Sequence, residues 1–172
     1  MTKPAEITRR AKSNLAFAFM CVPQDRRPDL NVFYAFCRVV DDIADDTSRP
    51  PEEKRMALQK WMQAIEEDDH PQNSLEAQVV DMRKRHSIEA SLLQEIIRGC
   101  ESDLSPQRFE TWEELQQYSY RVASTVGLIL LPLFGASQQA REYSISLGHC
   151  LQLTNIIRDV GEDLQNGLRI YL

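Results

Sequence analysis

Glycine is scarce in this chain, with 6 residues among 172. Apolar residues recur every three or four positions rather than every two, so the pattern excludes a fold built mainly from strands. We find no sequence pattern typical of a strand pair, no linker and no low-complexity tract. The sequence therefore predicts an all-α protein whose residues form a single domain.

A basic surface is also missing, because the 20 Lys and Arg residues form no stripe and are outnumbered by 26 Asp and Glu residues. The formal net charge is −6 and the sequence pI is about 5.1. A nucleic-acid-binding domain usually carries a clustered basic face. This composition excludes a general nucleic-acid binder, although acidity alone indicates no particular activity.

Cysteine and histidine patterns that hold metals are absent. The four cysteines form no Cys-x-x-Cys pair and lie in apolar or helical contexts, which favours reduced thiols in a cytoplasmic protein. The three histidines have no metal-ligand spacing. The residues concerned are Cys21, Cys37, Cys100, Cys150, His70, His86 and His149.

The sequence has no long hydrophobic run of the kind that crosses a membrane. Residues 122–140 carry no charge, but their Ser, Thr, Gly, Pro and Gln content predicts a buried helix instead. The basic N-terminal residues before an apolar run imitate a signal peptide. Glu6 interrupts that basic region, and no small-x-small cleavage pattern follows, so the sequence favours a cytoplasmic location.

Proline and glycine divide the chain into helices that begin and end at recognisable signals. The helix predicted over 111–134 contains Ala123, Ser124 and Gly127, whose small side chains admit either another helix or a ligand chain. The predicted helices are 6–21, 28–46, 51–69, 74–86, 87–100, 111–134 and one that begins at 137.

The last predicted helix carries a polar stripe. Gln152, Asn155, Asp159 and Asp163 step 0, 3, 7 and 11 residues along one face, beside apolar neighbours that favour burial. Two carboxylates one turn apart repel each other unless they face water or a cation. A hard divalent cation such as Mg²⁺ fits oxygen ligands of this kind.

A second stripe lies on the helix predicted over 28–46, where Tyr34, Arg38, Asp41 and Asp45 step 0, 4, 7 and 11. One interpretation is a solvated helix end, in which Arg38 pairs with Asp41 or Asp42 and contributes a few tenths of a kcal/mol. The other interpretation is the second half of a metal site. Either stripe alone leaves both interpretations open.

The two stripes together favour a shared site. If the two helices face each other, four carboxylates converge on one cleft, which requires bound cations or protonation. Carboxylate-bound Mg²⁺ commonly takes substrate phosphates, and Arg38 and Arg158 would bind further phosphate oxygens. The remaining lining would be apolar and would suit an isoprenoid tail, although plain core packing stays open for each residue. The expected lining is Phe17, Phe19, Phe33, Phe36, Val126, Leu130 and Leu153.

Three ordered segments, residues 34–45, 120–127 and 152–163, resemble motifs of the squalene and phytoene synthase family. The resemblance extends from about residue 12 to residue 172. It implies an all-α isoprenoid synthase-type helical bundle that joins two all-trans prenyl diphosphates head to head. The implied reaction ionises one allylic diphosphate, adds the double bond of the second molecule and forms a cyclopropyl diphosphate.

The resemblance also implies roles for individual residues. Catalytic roles fall to the four aspartates and to Tyr120, which resembles a cavity tyrosine near the reacting carbons. Magnesium would be bound by Asp41, Asp45, Asn155, Asp159 and Asp163. Substrate contacts would come from Lys12, Ser13, Tyr34, Arg38, Gln152 and Arg158.

Other implications of the resemblance leave alternatives open. Family members continue for several helices beyond the position of Leu172, so residues 1–172 are expected to be a partial domain. Farnesyl diphosphate is favoured over geranylgeranyl diphosphate, while NADPH use, peripheral membrane contact and oligomeric state stay open. A non-catalytic lipid-binding relative and a terpene cyclase-like or hydrolase-like diphosphate enzyme are the alternatives.

Overall fold

The computed structural model describes residues 4, 22–67, 70–72, 74–105, 107–166 and 169–170, with the side chains of 107, 162–166 and 169–170 outside the description. Seven α-helices make up most of this part of the chain, which confirms the all-α prediction. The helix predicted over 6–21 lies outside the described residues. The seven are α1 (Arg27–Asp45), α2 (Pro51–Ala64), α3 (Leu75–Arg85), α4 (Ala90–Ser102), α5 (Trp112–Ser119), α6 (Thr125–Phe134) and α7 (Arg141–Asn166).

The helix ends follow the predicted signals closely. The Ser74 hydroxyl accepts a hydrogen bond from the Ala77 N–H and caps α3, and Thr111 caps α5 through the Glu114 N–H. Gly135 ends α6 with φ +69°, a left-handed conformation that glycine adopts without strain. Three bounds differ from prediction by three residues or more: α2 ends at Ala64 rather than 69, α4 begins at Ala90 rather than 87, and α7 begins at Arg141 rather than 137, after a 3₁₀ turn at Gln138–Ala140.

The helix predicted over 111–134 is interrupted by a π-helical turn, Tyr120–Ser124, between α5 and α6. Within this turn the Arg121 guanidinium binds Glu95 of α4 at 3.0 Å. The Thr125 hydroxyl donates to the Arg121 carbonyl at 2.5 Å. A π turn inserts one extra residue, which rotates the side chains that precede it relative to those that follow.

One short strand pair corrects the expectation that the chain has none. Strand β1 (Gln107–Arg108) pairs in parallel with β2 (Arg169–Ile170). Two residues are too few to show the period-two alternation by which strands are recognised in sequence.

The main core lies where α1, α2, α3, α4 and α6 meet. Phe33 and Phe36 of α1 are 1% and 0% exposed, and the Phe36 ring meets the Trp61 ring edge to face at 5.4 Å. A smaller cluster of Leu115, Tyr118 and Ile156 joins α5 to α7. In the described part of the chain, no helix combines the length and apolar character needed to cross a membrane.

Helix α7 packs closely against the π turn and α6, and small residues lie at the contact. A Cβ atom at Gly148 would lie 2.5 Å from the Ser124 Cα, and one at Gly127 would lie 2.5 Å from the Ser144 Oγ. The stretch of small residues predicted at 123–127 therefore admits another helix. This contact fixes the position of α7 and of the stripe it carries.

We expect Gly148→Ala to lower the free energy of unfolding by about 1 to 3 kcal/mol, because its methyl group would overlap backbone atoms of Ser124. The matched control is Gly161→Ala on the same helix, where nothing lies within 4 Å. That change should stabilise the helix by up to about 1 kcal/mol. Urea denaturation of both variants checks the prediction, and equal effects would contradict it.

A polar cluster joins the start of α1 to the end of α3. The Asp29 carboxylate accepts from Arg85 at 2.6 Å and contacts the His86 Nε2 at 2.7 Å, with 17% of its side chain exposed. Burial alone would raise the pKa of Asp29, but the hydrogen bonds from Arg85 and His86 outweigh it, so the pKa falls below its ordinary value of 3.8.

We expect Asp29→Asn to lower the free energy of unfolding by about 1 to 3 kcal/mol near neutral pH. Because the folded-state pKa is depressed, this contribution is complete above the unfolded-state pKa and is lost as the pH falls through the folded-state pKa. Urea titrations at about pH 6 and below about pH 3 should show the difference from wild type shrinking in acid. The exposed Asp25→Asn provides the control.

Candidate functional site

A cavity of about 310 Å³ lies between the first and last described α-helices, with walls from α4, α5, the π turn and α6. Its lining is half polar and half apolar by residue type. The polar members are Tyr34, Arg38, Asp41, Asp103, Tyr118 and Gln152, and the others are Cys37, Ile96, Cys100, Val122 and Val126.

The cavity brings together residues from both predicted stripes. Tyr34, Arg38 and Asp41 come from one face of α1, while the opposite face of the same helix is buried in the core. Gln152 is the first residue of the stripe on α7. Four members of the two stripes thus line one cavity, but Asp41 is the only carboxylate among them, and the convergence of four carboxylates stays a prediction.

Arg38 holds the acidic end of α1 through two ion pairs. Its guanidinium lies 3.1 Å from the Asp41 carboxylate and 2.7 Å from the Asp42 carboxylate. The three side chains are 46%, 51% and 56% exposed, so water screens these pairs and each contributes little to stability. The solvated ion pairs expected at this helix end are therefore present, and they place the guanidinium beside the cavity.

The second stripe has a similar pair in Arg158 and Asp159. The guanidinium donates twice to the carboxylate, at 2.6 and 2.7 Å. These hydrogen bonds hold the pKa of Asp159 below its ordinary value. Asp45 and Asn155 are exposed, and neither they nor Asp159 belong to the lining of the cavity.

The donor chemistry of the stripes suits magnesium, since carboxylate and amide oxygens are its preferred protein ligands. Asp41 and Asp45 lie one turn apart on α1, and Asn155 and Asp159 lie at the same spacing on α7. Among the described residues, no group of three or more Asp, Glu, His or Cys side chains forms a metal cluster. Asp163's side chain, Lys12 and Ser13 lie outside the description, and their roles stay predictions.

Tyr118 lines the cavity together with Tyr34, whereas Tyr120 does not. Tyr118 is 5% exposed and packs with Phe109 at a ring distance of 5.2 Å. Tyr120 instead lines a separate depression beside His149. Two positions along a helix differ by about 200°, so only one of the two tyrosines can face the cavity. The predicted role of Tyr120 near the reacting carbons stays a prediction.

Asp103 is a cavity carboxylate that the sequence reasoning missed. It follows the last residue of α4, and the Tyr118 hydroxyl donates to its two oxygens at 3.1 and 3.4 Å. Asp103 belongs to neither aspartate stripe, so spacing gave no reason to select it. Only the packing of α4 against α5 and the π turn brings it to the cavity.

The apolar lining was predicted only in part. Val126 lines the cavity as expected, whereas Phe33 and Phe36 are core residues, in line with the core-packing interpretation that stayed open for each residue. Leu130 packs against the main core and Leu153 against the smaller one. Aromatic side chains on α1 face the core because the polar stripe occupies the other side of that helix. Phe17 and Phe19 lie outside the described residues.

Cysteine reactivity offers a direct test of this cavity. Cys37 and Cys100 line it, and Cys150 is exposed on α7. Burial raises the pKa of the Cys37 thiol far above its ordinary value of 9.0.

We expect a maleimide reagent at about pH 8 to modify Cys150 at least about tenfold faster than Cys37, because the thiolate is the reactive form. Peptide mass spectrometry over time measures both rates. In urea the two rates should converge. Equal rates in the folded protein would contradict the described geometry.

Comparison with known proteins gives consistent results. The family model for squalene/phytoene synthase matches residues 8–172. The 4,4'-diapophytoene synthase of Staphylococcus haemolyticus is 34% identical over 172 residues, which are 96% of this chain and 59% of that protein. The phytoene synthase of Thermus thermophilus is 35% identical over 152 residues, 87% of this chain and 51% of that protein. This chain thus spans about half the length of these relatives.

Solved structures show the same arrangement of helices. A ligand-bound dehydrosqualene synthase superposes with a TM-score of 0.84 at 30% identity, covering 98% of this chain and 59% of that one. A squalene synthase from Alicyclobacillus acidocaldarius superposes with a TM-score of 0.83 at 24% identity, covering 98% of this chain and 65% of that one. The second likeness concerns the fold alone.

Proposed function

Because this chain belongs to the squalene/phytoene synthase family, we propose that it provides the diphosphate-binding part of a prenyltransferase that joins two all-trans prenyl diphosphates head to head. The observation that carries the proposal is the shared cavity, where Tyr34, Arg38 and Asp41 of α1 meet Gln152 of α7. The similarity to a phytoene synthase and a diapophytoene synthase supports the same reaction class. Farnesyl diphosphate is the substrate we favour.

In the proposed reaction, the allylic C–O bond of one substrate breaks and its electron pair leaves with the diphosphate. The double bond of the second substrate attacks the resulting cation, and loss of one proton closes a cyclopropane ring. The products of this step are a cyclopropyl diphosphate, one free diphosphate and one proton. Any later reduction would need NADPH, which remains open.

The chain's own residues act on the diphosphate and on the cation. Arg38 and Arg158 present planar guanidinium groups, which bind phosphate oxygens as a fork. In this structure both are paired with aspartates, so substrate phosphate would compete with those carboxylates. Apolar walls from Ile96, Val122 and Val126 would shield the cation from water on that side of the cavity.

Oxygen ligands for magnesium would come from Asp41 and Asp45 on α1 and from Asn155, Asp159 and Asp163 on α7. When bound, Mg²⁺ would supply Lewis-acid polarisation of the leaving diphosphate. A bound cation would also lower the electrostatic repulsion between neighbouring carboxylates on each helix. Binding of the metal and its diphosphate ligand would therefore stabilise both stripes.

The direct test is incubation with farnesyl or geranylgeranyl diphosphate and Mg²⁺, with and without NADPH, followed by identification of the lipid product. A C30 product would support farnesyl diphosphate, and a C40 product would assign geranylgeranyl diphosphate. Because the proposal gives this chain the diphosphate-binding part of the enzyme, failure of the chain to bind either diphosphate in the presence of Mg²⁺ would refute it.

Asp41→Asn should reduce kcat/KM by about a hundredfold or more, as expected when a group that stabilises charge in the transition state is removed. Asp42→Asn is the matched control, because it removes a carboxylate from the same arginine without touching the cavity lining. Its kcat/KM should stay within about threefold of wild type, since exposed ion pairs contribute little. Equal losses in both variants would show that the arginine cluster, rather than the cavity carboxylate, matters.

A further inference from the structure

The residues that line the cavity differ in their exposure to water. The side chains of Arg38 and Asp41 are 46% and 51% exposed. Ile96 of α4 lines the same cavity but is only 5% exposed, and it is itself a member of the main core cluster. A ligand with a charged head and an apolar tail would therefore place its head near the exposed groups and its tail against the residues that join the core.

Ile96 has the largest side chain among the non-polar lining residues. The others are Cys37, Cys100, Val122 and Val126. Because a branched four-carbon side chain occupies more of the wall than a thiol or a valine, Ile96 has the greatest effect of this group on the room left for a tail.

The position of Ile96 is fixed by its neighbours on α4. The adjacent Glu95 binds Arg121 of the π turn at 3.0 Å. One turn further along, a Cβ atom at Gly99 would lie 2.7 Å from the Val122 Cγ1, so the helix and the π turn approach each other closely. A densely packed core does not yield to an extra group. The wall at Ile96 therefore cannot move back to admit a longer tail.

We propose that Ile96 is a specificity-determining residue, which limits the length of the prenyl tail that the cavity accepts and favours the farnesyl tail over the geranylgeranyl tail. This inference rests on the proposed function, because that function supplies the two tails. They differ by one isoprene unit. Replacement of Ile96 by alanine removes three carbon atoms from the wall and opens room for much of that unit.

The experiment measures binding without turnover. Its probes are farnesyl and geranylgeranyl thiodiphosphates, in which sulfur replaces the oxygen that joins the tail to the diphosphate, so that the probes ionise slowly and stay intact. Calorimetric titration in the presence of Mg²⁺ gives a Kd for each probe. Wild type should bind the farnesyl probe more tightly. Ile96→Ala should shift the ratio of the two Kd values towards the geranylgeranyl probe by about tenfold or more.

The matched control is Ile97→Ala, on the same helix and with the same loss of carbon atoms. Ile97 is 0% exposed and belongs to the main core, but it does not line the cavity. Its replacement should change the ratio of Kd values by no more than about twofold, since a change in core packing alone affects both probes alike.

Circular dichroism and thermal melting show whether each variant is folded. If the alanine variants unfold, Ile96→Val and Ile97→Val repeat the comparison with the loss of one carbon atom each. The expected shift for Ile96→Val is then about two- to fourfold, and Ile97→Val should leave the ratio unchanged.

The outcomes separate this inference from the proposed function. If wild type binds neither probe, both fail. If wild type binds the two probes equally tightly, or if the Ile96 and Ile97 variants shift the ratio equally, the role of Ile96 is refuted while the proposed function stands. A shift confined to the Ile96 variants would support the inference.

Discussion

The close approach of α7 to the π turn and α6 is the constraint on which the site depends. Gly148 lies against the backbone at Ser124, and Gly127 lies against Ser144, so the two helices touch with almost no side chain between them. Interiors are packed too densely to absorb an extra methyl group at such a contact. The distance between α7 and the rest of the bundle is thereby fixed, and with it the place of Gln152 in the cavity wall.

Helix α1 supplies the other half of the site. One of its faces is buried in the core, and the opposite face lines the cavity. Phe33 and Phe36 anchor one face in the main core, while Tyr34, Arg38 and Asp41 line the cavity on the other. Burial of the aromatic face orients the polar face, since the helix cannot rotate without exposing its phenylalanines. Arg38, at this end of the helix, pairs with Asp41 and Asp42, and the proposed function assigns phosphate binding to it.

Most helices of the fold could be predicted from the sequence, because helical patterns depend on residues close together in the chain. The apolar period predicted α1, the Ser74 cap predicted the start of α3, and Gly135 marked the end of α6. The π turn could not be predicted, because helical spacing gives no sign of an inserted residue; in the folded chain its Arg121 pairs with Glu95 of a different helix. The strand pair could not be predicted either, because 107–108 and 169–170 are far apart in the sequence and each is too short to show a strand pattern.

For the site, the sequence by itself determined the two stripes, because residues at helical spacing share a face wherever the helix lies. It also indicated the family, through three short segments in a fixed order. Only the tertiary structure decided which aspartates and tyrosines meet in the cavity. Asp103 and Tyr118 lie on separate helices and join through packing alone, whereas Tyr120, two positions along the chain, faces another surface. Side chains from distant segments are brought together by helix packing, and spacing within one segment carries no information about that.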